Sequence, residues 1–423
     1  MRSAQGSGTY VANLPQLAFS ARSTPAPAGA EAPLSARGSA ITAYAAGARY
    51  EIQPFAPGAA DFSAFPFKLW QRLQNRIWRE ARTDLLDYGQ SGGYLPLRHA
   101  ITDYLRMSRS VKVSVGQVLI TAGTQHSLDL CAQLLADVGD LAWVEDPGYW
   151  GARRVFQACD LALRPIRVDA AGMALSEADL ATGPRLIYVT PSHQYPTGAV
   201  MTLARRRELL DVAVRKKAWI LEDDYDSEFR YTGRPLASLQ GLDTGQRVVY
   251  MGTFSKVLYP GIKIGYLVLP EALVEPFRTA LYDLQRPGQL MVQAALAEFI
   301  RLGHFTTHLR KLRQMFGARR EMLRRILAGA LEGHAVTISS EESGLHLVLE
   351  LPDDTDDVAL EKRAAEAGIQ VRALSAYYLA PPVRKGLLVG YAYVTPENIA
   401  RYGQLLAGLI RQVVPPPGTK WRS

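Results

Sequence analysis

Between Gln117 and Pro270 the sequence alternates short apolar runs with longer segments of helical periodicity, and this alternation constrains the fold more than any other feature. The apolar runs are QVLIT, LAWVE, RLIYVT, AWILE and RVVYMG, and the segments between them include SLDLCAQLLADV and RRRELLDVAVRKK. Strands that alternate with helices favour a parallel, doubly wound α/β sheet. We therefore predict an α/β fold built on a mostly parallel sheet.

The C-terminal third of the chain follows a different pattern. A helical repeat of apolar residues extends from about His304 to Leu331, and a strand-like alternation runs from Gly344 to Leu351. A further helix and further strands are predicted after it. We expect this part of the chain to form a smaller α+β domain.

The two ends of the chain differ in composition from its body. Residues 13–48 are rich in Ala, Pro, Gly and Ser, which predicts a flexible linker. Before them, residues 1–12 contain a glycine turn followed by a short strand pattern, and one strand is not stable alone. We interpret residues 1–12 as the end of a domain whose front is missing, and residues 415–423 as a short basic tail.

Composition excludes several classes of protein. No stretch approaches the roughly 20 uninterrupted apolar residues of a membrane span, and the N-terminus has no apolar signal core. The only cysteines, Cys131 and Cys159, form neither a disulfide framework nor a zinc motif, which suits a reducing compartment. We therefore expect a cytoplasmic protein without membrane contact. The net charge of +8 permits a nucleic-acid partner but does not require one.

A polar segment follows each of the five apolar runs. These segments are AGTQHS (122–127), DPGYWG (146–151), PSHQYPTG (191–198), DDYD (223–226) and TFSK (253–256). Because ligands of an open parallel sheet bind beyond the carboxyl ends of its strands, we expect the five segments to share one site. Together they offer a helix N-terminus for an anion, an aromatic face, a group of carboxylates and a lysine.

One ligand uses all of these features, namely pyridoxal phosphate (PLP). Its aldehyde requires a lysine amine for a Schiff base, its ring nitrogen a carboxylate, and its phosphate a helix terminus with a nearby cation. The amine must lose its proton well below the usual lysine pKa of about 10.4. The three carboxylates of the DDYD segment could instead bind a metal ion. No histidine or second cluster supports that alternative, so we predict no metal site.

Seven segments of the chain resemble motifs of a known family and occur in that family's order. They are PFAPGAADFSAFPFKLWQR (54–72), YGQSGGYLPLRHAITDYL (88–105), TAGTQHSLDL (121–130), EDPGYWGARR (145–154), TPSHQYPTG (190–198), EDDYDSEFRY (222–231) and GTFSKVLYPGIKIGYLVLP (252–270). They resemble fold-type-I PLP-dependent transferases of the aspartate aminotransferase superfamily, and more narrowly the effector domain of MocR/GabR-type transcription regulators in the GntR superfamily.

The resemblance implies an aminotransferase-like domain at residues 49–414. A large domain with a mostly parallel sheet would occupy about 85–300, and a smaller α+β domain would combine 49–84 with 301–414. The family's fold-type-I transferases act as homodimers with shared sites, and we expect the same here.

The resemblance also implies roles for individual residues. Lys256 would form the Schiff base with PLP, Asp223 would pair with the pyridine nitrogen, and Tyr225 would bind the phenolic oxygen. Asp224 remains an alternative for the carboxylate role. The remaining cofactor contacts would be Tyr149, stacked on the ring, the phosphate-binding residues Gly123, Thr124, Gln125, Ser255 and Lys263, and Tyr88, which would reach the phosphate of the neighbouring subunit.

Three positions depart from the family's usual motifs. Lys263 stands in place of a phosphate-binding arginine, so it keeps the charge but loses the bidentate fork. Leu388 stands in place of the arginine that binds a substrate carboxylate, which removes the main anchor for an ordinary amino acid. Arg372 and Arg384 are nearby candidates to replace that arginine. Tyr195 occupies the asparagine position of an NPTG turn.

Two functions fit this set of motifs. The first is a regulator whose PLP-binding domain senses a small amine, an amino acid or PLP itself and acts on an attached DNA-binding domain. The resemblance of the N-terminal GSGTYVA to the wing of a winged helix-turn-helix favours this function, as does Leu388, although DNA contact would require a winged-helix domain largely missing from the chain. The second is a working class I/II aminotransferase with an amine or amino-acid substrate, favoured by Lys256, Asp223 and Tyr225.

Overall fold

The protein is described by a computed structural model. It covers residues 2–4, 8–10, 34–43, 52–80, 82–89, 92–233, 237–284, 288–339 and 343–416. The chain forms two compact units, Met1–Gly47 and Ala48–Ser423. The larger unit begins one residue before the start that the sequence predicted for the aminotransferase-like domain. Most of the predicted linker and the end of the predicted tail lie outside the described residues.

The smaller unit contains a hairpin and a helix. Strand β1 (Arg2–Ala4) pairs antiparallel with β2 (Gly8–Tyr10), and helix α1 spans Ala36–Ala43. The sequence predicted a strand after the glycine turn but not its partner β1, and it predicted linker where α1 lies. The α1 sequence, ARGSAITA, contains a glycine and two β-branched residues, which are weak helix formers, so it carries no clear helical pattern. The assignment of residues 1–12 to a winged-helix wing stays a prediction.

The larger unit is built on an eight-stranded sheet. Its strands are β3 (Val118–Thr121), β4 (Leu141–Asp146), β5 (Ala162–Asp169), β6 (Gly172–Met173), β7 (Leu186–Val189), β8 (Trp219–Asp224), β9 (Val248–Thr253) and β10 (Gly265–Val268). Their order in the sheet is β3-β10-β9-β8-β7-β4-β5-β6. Strands β9, β8, β7, β4 and β5 run parallel, whereas β10 is antiparallel to both of its neighbours and β6 to β5. The prediction of an α/β fold with a mostly parallel sheet is confirmed.

Twelve described helices accompany the sheets of the larger unit. They are α2 (Phe67–Arg79), α3 (Leu95–Arg109), α4 (Thr124–Leu135), α5 (Trp150–Ala158), α6 (Glu177–Leu180), α7 (Leu203–Lys216), α8 (Leu239–Leu242), α9 (Val274–Leu284), α10 (Leu290–Arg301), α11 (His304–Ala330), α12 (Asp357–Glu366) and α13 (Pro396–Arg411). Helix α11 confirms the helix predicted from about His304 to Leu331. In the part of the chain that the structure describes, no helix combines the length and apolar character needed to span a bilayer.

Neighbouring residues of the central strands face opposite sides of the large sheet. On β3, Ile120 packs into one hydrophobic core and Leu119 into another, and on β9 the same holds for Tyr250 and Met251. Because both sides are covered, these strands are continuous apolar runs rather than alternating ones. A polar residue at the end of such a strand therefore belongs to one side or the other, and this decides which residues reach a common site.

Strand β5 was not among the strands predicted from the sequence. It contains Pro165 and the charged residues Arg164, Arg167 and Asp169, and its side chains are mostly only partly buried. A proline within a run of residues argues against a strand at the centre of a sheet. Strand β5 accommodates it near the sheet's end, where only the two-residue β6 lies beyond it.

The C-terminal third forms the second sheet of the larger unit. Its strands are β11 (Thr337–Ile338), β12 (His346–Leu351), β13 (Arg372–Ala373) and β14 (Lys385–Gly390), in the order β11-β12-β14-β13, and all of its pairings are antiparallel. Strand β12 confirms the strand predicted between Gly344 and Leu351. Helices α11 and α13 share one hydrophobic core with β12 and β14. This sheet supplies one wall of the site described next.

Candidate functional site

A cavity of about 490 Å³ lies at the edge of the large sheet where its parallel strands end. Nine of the ten predicted cofactor and catalytic residues line it: Gly123, Thr124, Gln125, Tyr149, Asp223, Tyr225, Ser255, Lys256 and Lys263. The tenth, Tyr88, lies outside this lining and is 54% exposed at the surface. Eight of the nine lie at or just after the carboxyl ends of four strands, β3, β4, β8 and β9, as the carboxyl-end rule for parallel sheets predicts.

Lys263 reaches this edge by a route that differs from the others. It does not follow a parallel strand but precedes β10, which runs antiparallel between β3 and β9. Gly265 at the start of β10 lies opposite both Thr121 and Thr253, the last residues of those two strands. The start of an antiparallel strand and the ends of its parallel neighbours share one edge, so Lys263 is placed beside Ser255 and Lys256.

The amine of Lys256 lies inside the cavity. Its Nζ donates a hydrogen bond to the carbonyl oxygen of Gly58 at 2.8 Å. Burial lowers the pKa of the Lys256 ammonium, while the nearby carboxylates of Asp226 and Asp223 oppose that shift. A lysine with a lowered pKa supplies more neutral amine, which is the form that attacks a carbonyl carbon.

Asp223 faces the cavity with an incompletely satisfied carboxyl group. The Tyr188 hydroxyl donates to Asp223 Oδ2 at 2.8 Å, while Oδ1 is buried without a hydrogen-bond partner among the described residues. Burial raises the pKa of Asp223 to about 7, and the hydrogen bond from Tyr188 opposes the rise. A ligand with a protonated nitrogen in the cavity would give Asp223 a positively charged hydrogen-bond donor.

Asp224, the alternative carboxylate, belongs to the other side of the sheet. The Tyr250 hydroxyl donates to Asp224 Oδ2 at 2.5 Å, and the guanidinium Nε of Arg109 lies 3.3 Å from the same oxygen. Asp224 is not among the residues that line the cavity. Adjacent residues of a strand face opposite sides, so only one of the two aspartates could reach the cavity, and it is Asp223 that does.

A histidine that sequence reasoning missed lies behind Tyr225. His193 Nδ1 is 3.0 Å from both the Tyr225 hydroxyl and Asp226 Oδ2, and the Tyr225 hydroxyl donates to the His193 carbonyl oxygen at 3.1 Å. The side chains of His193 and Asp226 are almost fully buried. The pair fixes the position of the Tyr225 hydroxyl. In the sequence, the two residues are visible as the histidine of the PSHQYPTG turn and the last aspartate of DDYD.

Three tyrosines line one wall of the cavity. The Gln125 amide donates to the Tyr149 hydroxyl at 2.9 Å, and the Tyr149 ring meets the Tyr195 ring edge to face at 5.8 Å between centroids. The hydroxyls of Tyr195 and Tyr377 lie 3.0 Å apart. The predicted aromatic face is thus part of a larger group of rings, and Tyr377, from the short helical turn that follows β13, was not predicted as a member.

The part of the cavity at the start of α4 is suited to an anion. Helix α4 begins after Gly123, whose φ of +100° is rarely adopted by other residues, and a Cβ built on Gly123 would have no atom within 4 Å. Thr124 and Gln125 start the helix, so its unpaired N–H groups and the positive end of its dipole lie at the cavity. Ser255 adds a hydroxyl and Lys263 a cation.

The second sheet contributes the wall around Leu388, the position where the family usually has an arginine. Leu388 is fully buried and packs with Val348, Leu374 and Tyr377. Of the two candidate replacements, Arg372 lines the cavity, whereas Arg384 forms an ion pair with Glu350 and is not part of the lining.

The carboxylates at the end of β8 are divided between the two sides of the sheet. Within the described ranges, no group of three or more His, Cys, Asp or Glu side chains is arranged to hold a metal ion. Asp223 and Asp226 approach the cavity with Tyr225 between them in sequence, whereas Asp224 is held by Arg109 on the other side of the sheet.

Comparison with known proteins places the chain in a family. The family model for aminotransferase class I and II matches residues 58–402. The probable rhizopine catabolism regulatory protein MocR of Rhizobium meliloti is 40% identical over 407 residues, which cover 94% of this chain and 80% of that protein. The uncharacterized HTH-type transcriptional regulator YhdI of Bacillus subtilis is 35% identical over 346 residues, covering 82% of this chain and 73% of that protein.

A solved structure agrees with the family model. The multiple substrate aminotransferase of Thermococcus profundus superposes with a TM-score of 0.80 at 25% identity, over 90% of this chain and 97% of that one. The fold is thus that of the fold-type-I, PLP-dependent transferases. The chain belongs to the class I and II aminotransferase family and, within it, is the aminotransferase-like effector domain of a MocR-type transcription regulator.

The residues of the cavity fit PLP, the cofactor of this family. An anion site at the start of α4, a buried carboxylate oxygen without a partner on Asp223, and an amine of lowered pKa on Lys256 open on one space. These are the groups that a phosphate, a protonated ring nitrogen and an aldehyde require. No described residue blocks Gly123, where the closest approach to a phosphate is expected.

Proposed function

We propose that the cavity holds PLP through Lys256 and that the loaded domain senses a small amine or amino acid. When bound, PLP supplies an aldehyde carbon that accepts amines and a ring that withdraws electrons. One observation carries the proposal: the Lys256 amine and the Asp223 carboxyl group line the same cavity. Among the described residues, Asp223 accepts a hydrogen bond from Tyr188 but is in direct contact with no cation, and its Oδ1 has no partner.

Each predicted residue keeps a distinct role in this proposal. Asp223 holds a proton on the pyridine nitrogen, Tyr225 binds the phenolic oxygen from the position fixed by His193, and Tyr149 covers the ring. The phosphate lies among Gly123, Thr124, Gln125, Ser255 and Lys263. Burial lowers the pKa of the Lys256 ammonium, so more of Lys256 is the neutral amine, which is the form that could attach to the PLP aldehyde or act as a base on a bound amine.

The proposal includes a homodimer and an attached DNA-binding domain. Tyr88 is exposed and lies away from the cavity lining of its own subunit, as a residue that serves a neighbour's phosphate would be. The relatives MocR and YhdI carry names of regulators, and the latter of an HTH-type regulator. For this chain, DNA contact would be made by a winged-helix domain rather than by the cavity, with the cavity reporting its ligand to that domain.

Sensing and turnover are separated by one experiment on the PLP-loaded protein. A panel of amines and amino acids is added while the visible absorbance of the bound cofactor and the release of keto acid are both followed. A sensor shows a ligand-dependent change in absorbance that reverses on dialysis, without keto-acid release. Sustained release with one amino donor would instead establish the aminotransferase function, and no change with any ligand would contradict sensing at this cavity.

A matched pair of lysine variants controls this experiment. Lys256→Ala removes the proposed attachment point, and Lys68→Ala removes an exposed lysine on α2 that does not line the cavity. We expect the first variant to lose the absorbance response completely and the second to retain it.

A further inference from the structure

The second sheet carries a row of three residues that project from one of its faces. Leu388 on β14 lies opposite Val348 of β12 on one side and opposite Arg372 of β13 on the other. Directly opposed residues of antiparallel strands project from the same face of a sheet. Leu388 and Val348 pack with Tyr377, which lines the cavity, so the row is on the cavity side.

Arg372 therefore stands one strand away from the position where the guanidinium is missing. Neighbouring strands are about 4.8 Å apart, and the extended side chain of an arginine is longer than that spacing. A guanidinium based at position 372 can serve the same part of the cavity as one based at position 388. Leu388 itself is fully buried against Tyr377 and Leu374 and offers no polar atom.

The charges of the cavity lead to the same residue. Among the described residues that line it, three are lysine or arginine: Lys256, Lys263 and Arg372. In the proposed function, Lys256 serves the aldehyde and Lys263 the phosphate. Arg372 is then the cation that remains for an anionic group of the bound amine itself.

The surroundings of Arg372 hold its side chain at the cavity mouth. Its Nη1 is 3.0 Å from Glu361 Oε1, and the other oxygen of Glu361 accepts the backbone N–H of Ala373 at 2.8 Å. The Arg372 side chain is 54% exposed, so the guanidinium is reachable from solvent as well as from the cavity. A guanidinium has five N–H donors in a fixed fork, and the contact at Nη1 occupies only one part of it.

A second donor lies on the same wall. Gln370 also lines the cavity, and its Oε1 accepts the backbone N–H of Gln53 at 3.0 Å. With the oxygen of the amide engaged in this way, its Nε2 group is the part that can serve a ligand. A carboxylate accepts hydrogen bonds at both oxygens and donates none, so an amide N–H beside a guanidinium suits it.

We propose that Arg372, assisted by Gln370, binds the carboxylate of the effector, and that the effectors of this protein are small amines that also carry a carboxylate. The inference rests on the proposed function and deepens it, since the effector must reach PLP through its amine while its carboxylate is held at the second sheet. Arg372 replaces, from the neighbouring strand, the guanidinium that Leu388 lacks.

The test compares stable adducts that differ only in the carboxylate. The probes are the reduced phosphopyridoxyl adducts of L-alanine, of β-alanine and of ethylamine, and ethylamine is what either amino acid becomes without its carboxylate. Each is titrated calorimetrically into the full chain freed of cofactor. We expect at least one carboxylate adduct to bind about tenfold more tightly than the ethylamine adduct, because a charge-assisted contact is gained.

Variants then assign this preference to a residue. Arg372→Ala is expected to reduce the preference to less than about twofold, and Arg372→Lys to retain part of it, because lysine keeps the charge without the fork. Arg384→Ala is the matched control on the same sheet, and it should keep the wild-type preference because Arg384 is paired with Glu350 outside the cavity lining.

The outcomes separate this inference from the proposed function. If all three adducts bind the wild-type chain equally, or if Arg372→Ala keeps the preference, the assignment of Arg372 is wrong while the PLP site stands. If none of the adducts binds, the proposed function and the inference fall together.

Discussion

One short segment, EDDYDSE (222–228), contributes to two groups of buried polar residues that differ in how their charges are compensated. The cavity-side group consists of Asp223, Asp226, His193 and Lys256, and the opposite-face group consists of Asp224, Glu228, Arg109, Tyr104 and Tyr250. Both lie in the interior, where an uncompensated charge is costly. The comparison shows what distinguishes a structural group from a binding one.

The opposite-face group is compensated within the chain. Arg109 lies against Asp224, and despite its burial the charges of Asp224 and Glu228 raise the pKa of its guanidinium. Tyr104 donates to Glu228 at 3.0 Å, and Tyr250 donates to Asp224. In the cavity-side group, Asp223 receives a hydrogen bond from a tyrosine and opens on a cavity, and no arginine of the described segments forms an ion pair with it. We infer that a buried acid beside a permanent cation supports the fold, whereas one beside a cavity serves a ligand.

The largest effect that separates the two groups is expected from Arg109→Met. It leaves Asp224 and Glu228 buried without their guanidinium, so the free energy of unfolding should fall by about 3–5 kcal/mol. Urea denaturation of the cofactor-free protein measures the change. Arg207→Met on the exposed side of α7 is the control and should change it by less than about 0.5 kcal/mol. Equal effects of the two substitutions would show that the opposite-face group does not support the fold.

The complementary substitution, Asp223→Asn, is expected to act on the cofactor rather than on the fold. Removing the charge that faces the pyridine nitrogen should weaken PLP binding by about 2 kcal/mol or more, which is at least about 30-fold. Equilibrium titration with PLP measures this loss. Asp224→Asn is the control and should lower stability more than affinity. A variant at position 224 that loses more affinity than the one at 223 would reverse our assignment of the two aspartates.

The pH dependence of stability gives a smaller but independent measure of the cavity-side carboxyl. Burial raises the pKa of Asp223 to about 7, as it does those of Glu145 and Glu222. Between about pH 4 and 7 these groups stay protonated in the folded chain but ionise in the unfolded one, so stability should fall as pH rises through that window. Each contributes about 1.4 kcal/mol per pH unit.

Asp223→Asn should remove the contribution of Asp223 to the pH dependence of the free energy of unfolding. Unfolding of the cofactor-free protein between pH 5 and 7 should therefore depend on pH less steeply in the variant, by about 1.4 kcal/mol per unit. Identical slopes for the variant and the wild type would mean that Asp223 is ionised in the cofactor-free cavity.

The smallest effect is expected at Lys263, in the part of the cavity that we propose binds the phosphate. Lys263→Arg restores a bidentate donor and should tighten PLP binding several-fold. Lys217→Arg is a closely matched control, because both lysines are exposed and have a positive φ, 49° for Lys263 and 55° for Lys217. Lys217 lies at the C-terminal end of α7 and does not line the cavity. Weaker binding by Lys263→Arg would show that the turn before β10 has no room for the longer fork.

Local pattern and sheet topology were enough to predict which strand ends lie together. Five apolar runs identified β3, β4, β7, β8 and β9, and the rule that ligands bind at the carboxyl ends accounts for eight of the nine predicted residues that line the cavity. The ninth, Lys263, precedes the antiparallel strand β10. The choice between Asp223 and Asp224 stayed open, because a strand pattern buried on both sides carries no alternation to tell which side a terminal residue faces. Only the packing of Arg109 and Tyr250 from distant segments shows it.

Residues contributed by remote segments were beyond the reach of sequence pattern. Tyr377 meets Tyr195 across 182 positions, and Arg372 reaches the cavity through its pairing opposite Leu388. His193 was quoted within a motif, but its contact with Asp226 depends on the distance between two strand ends, which spacing does not give. These residues are set by tertiary packing, and they determine the shape and specificity of the cavity.

The most direct test of the central claim is reduction of the PLP-loaded protein with borohydride, followed by mass spectrometry of its peptides. The account predicts one phosphopyridoxyl group per chain, attached to the Nζ of Lys256, and no adduct in Lys256→Ala. An adduct on a different lysine, or none after loading with excess PLP, would contradict it.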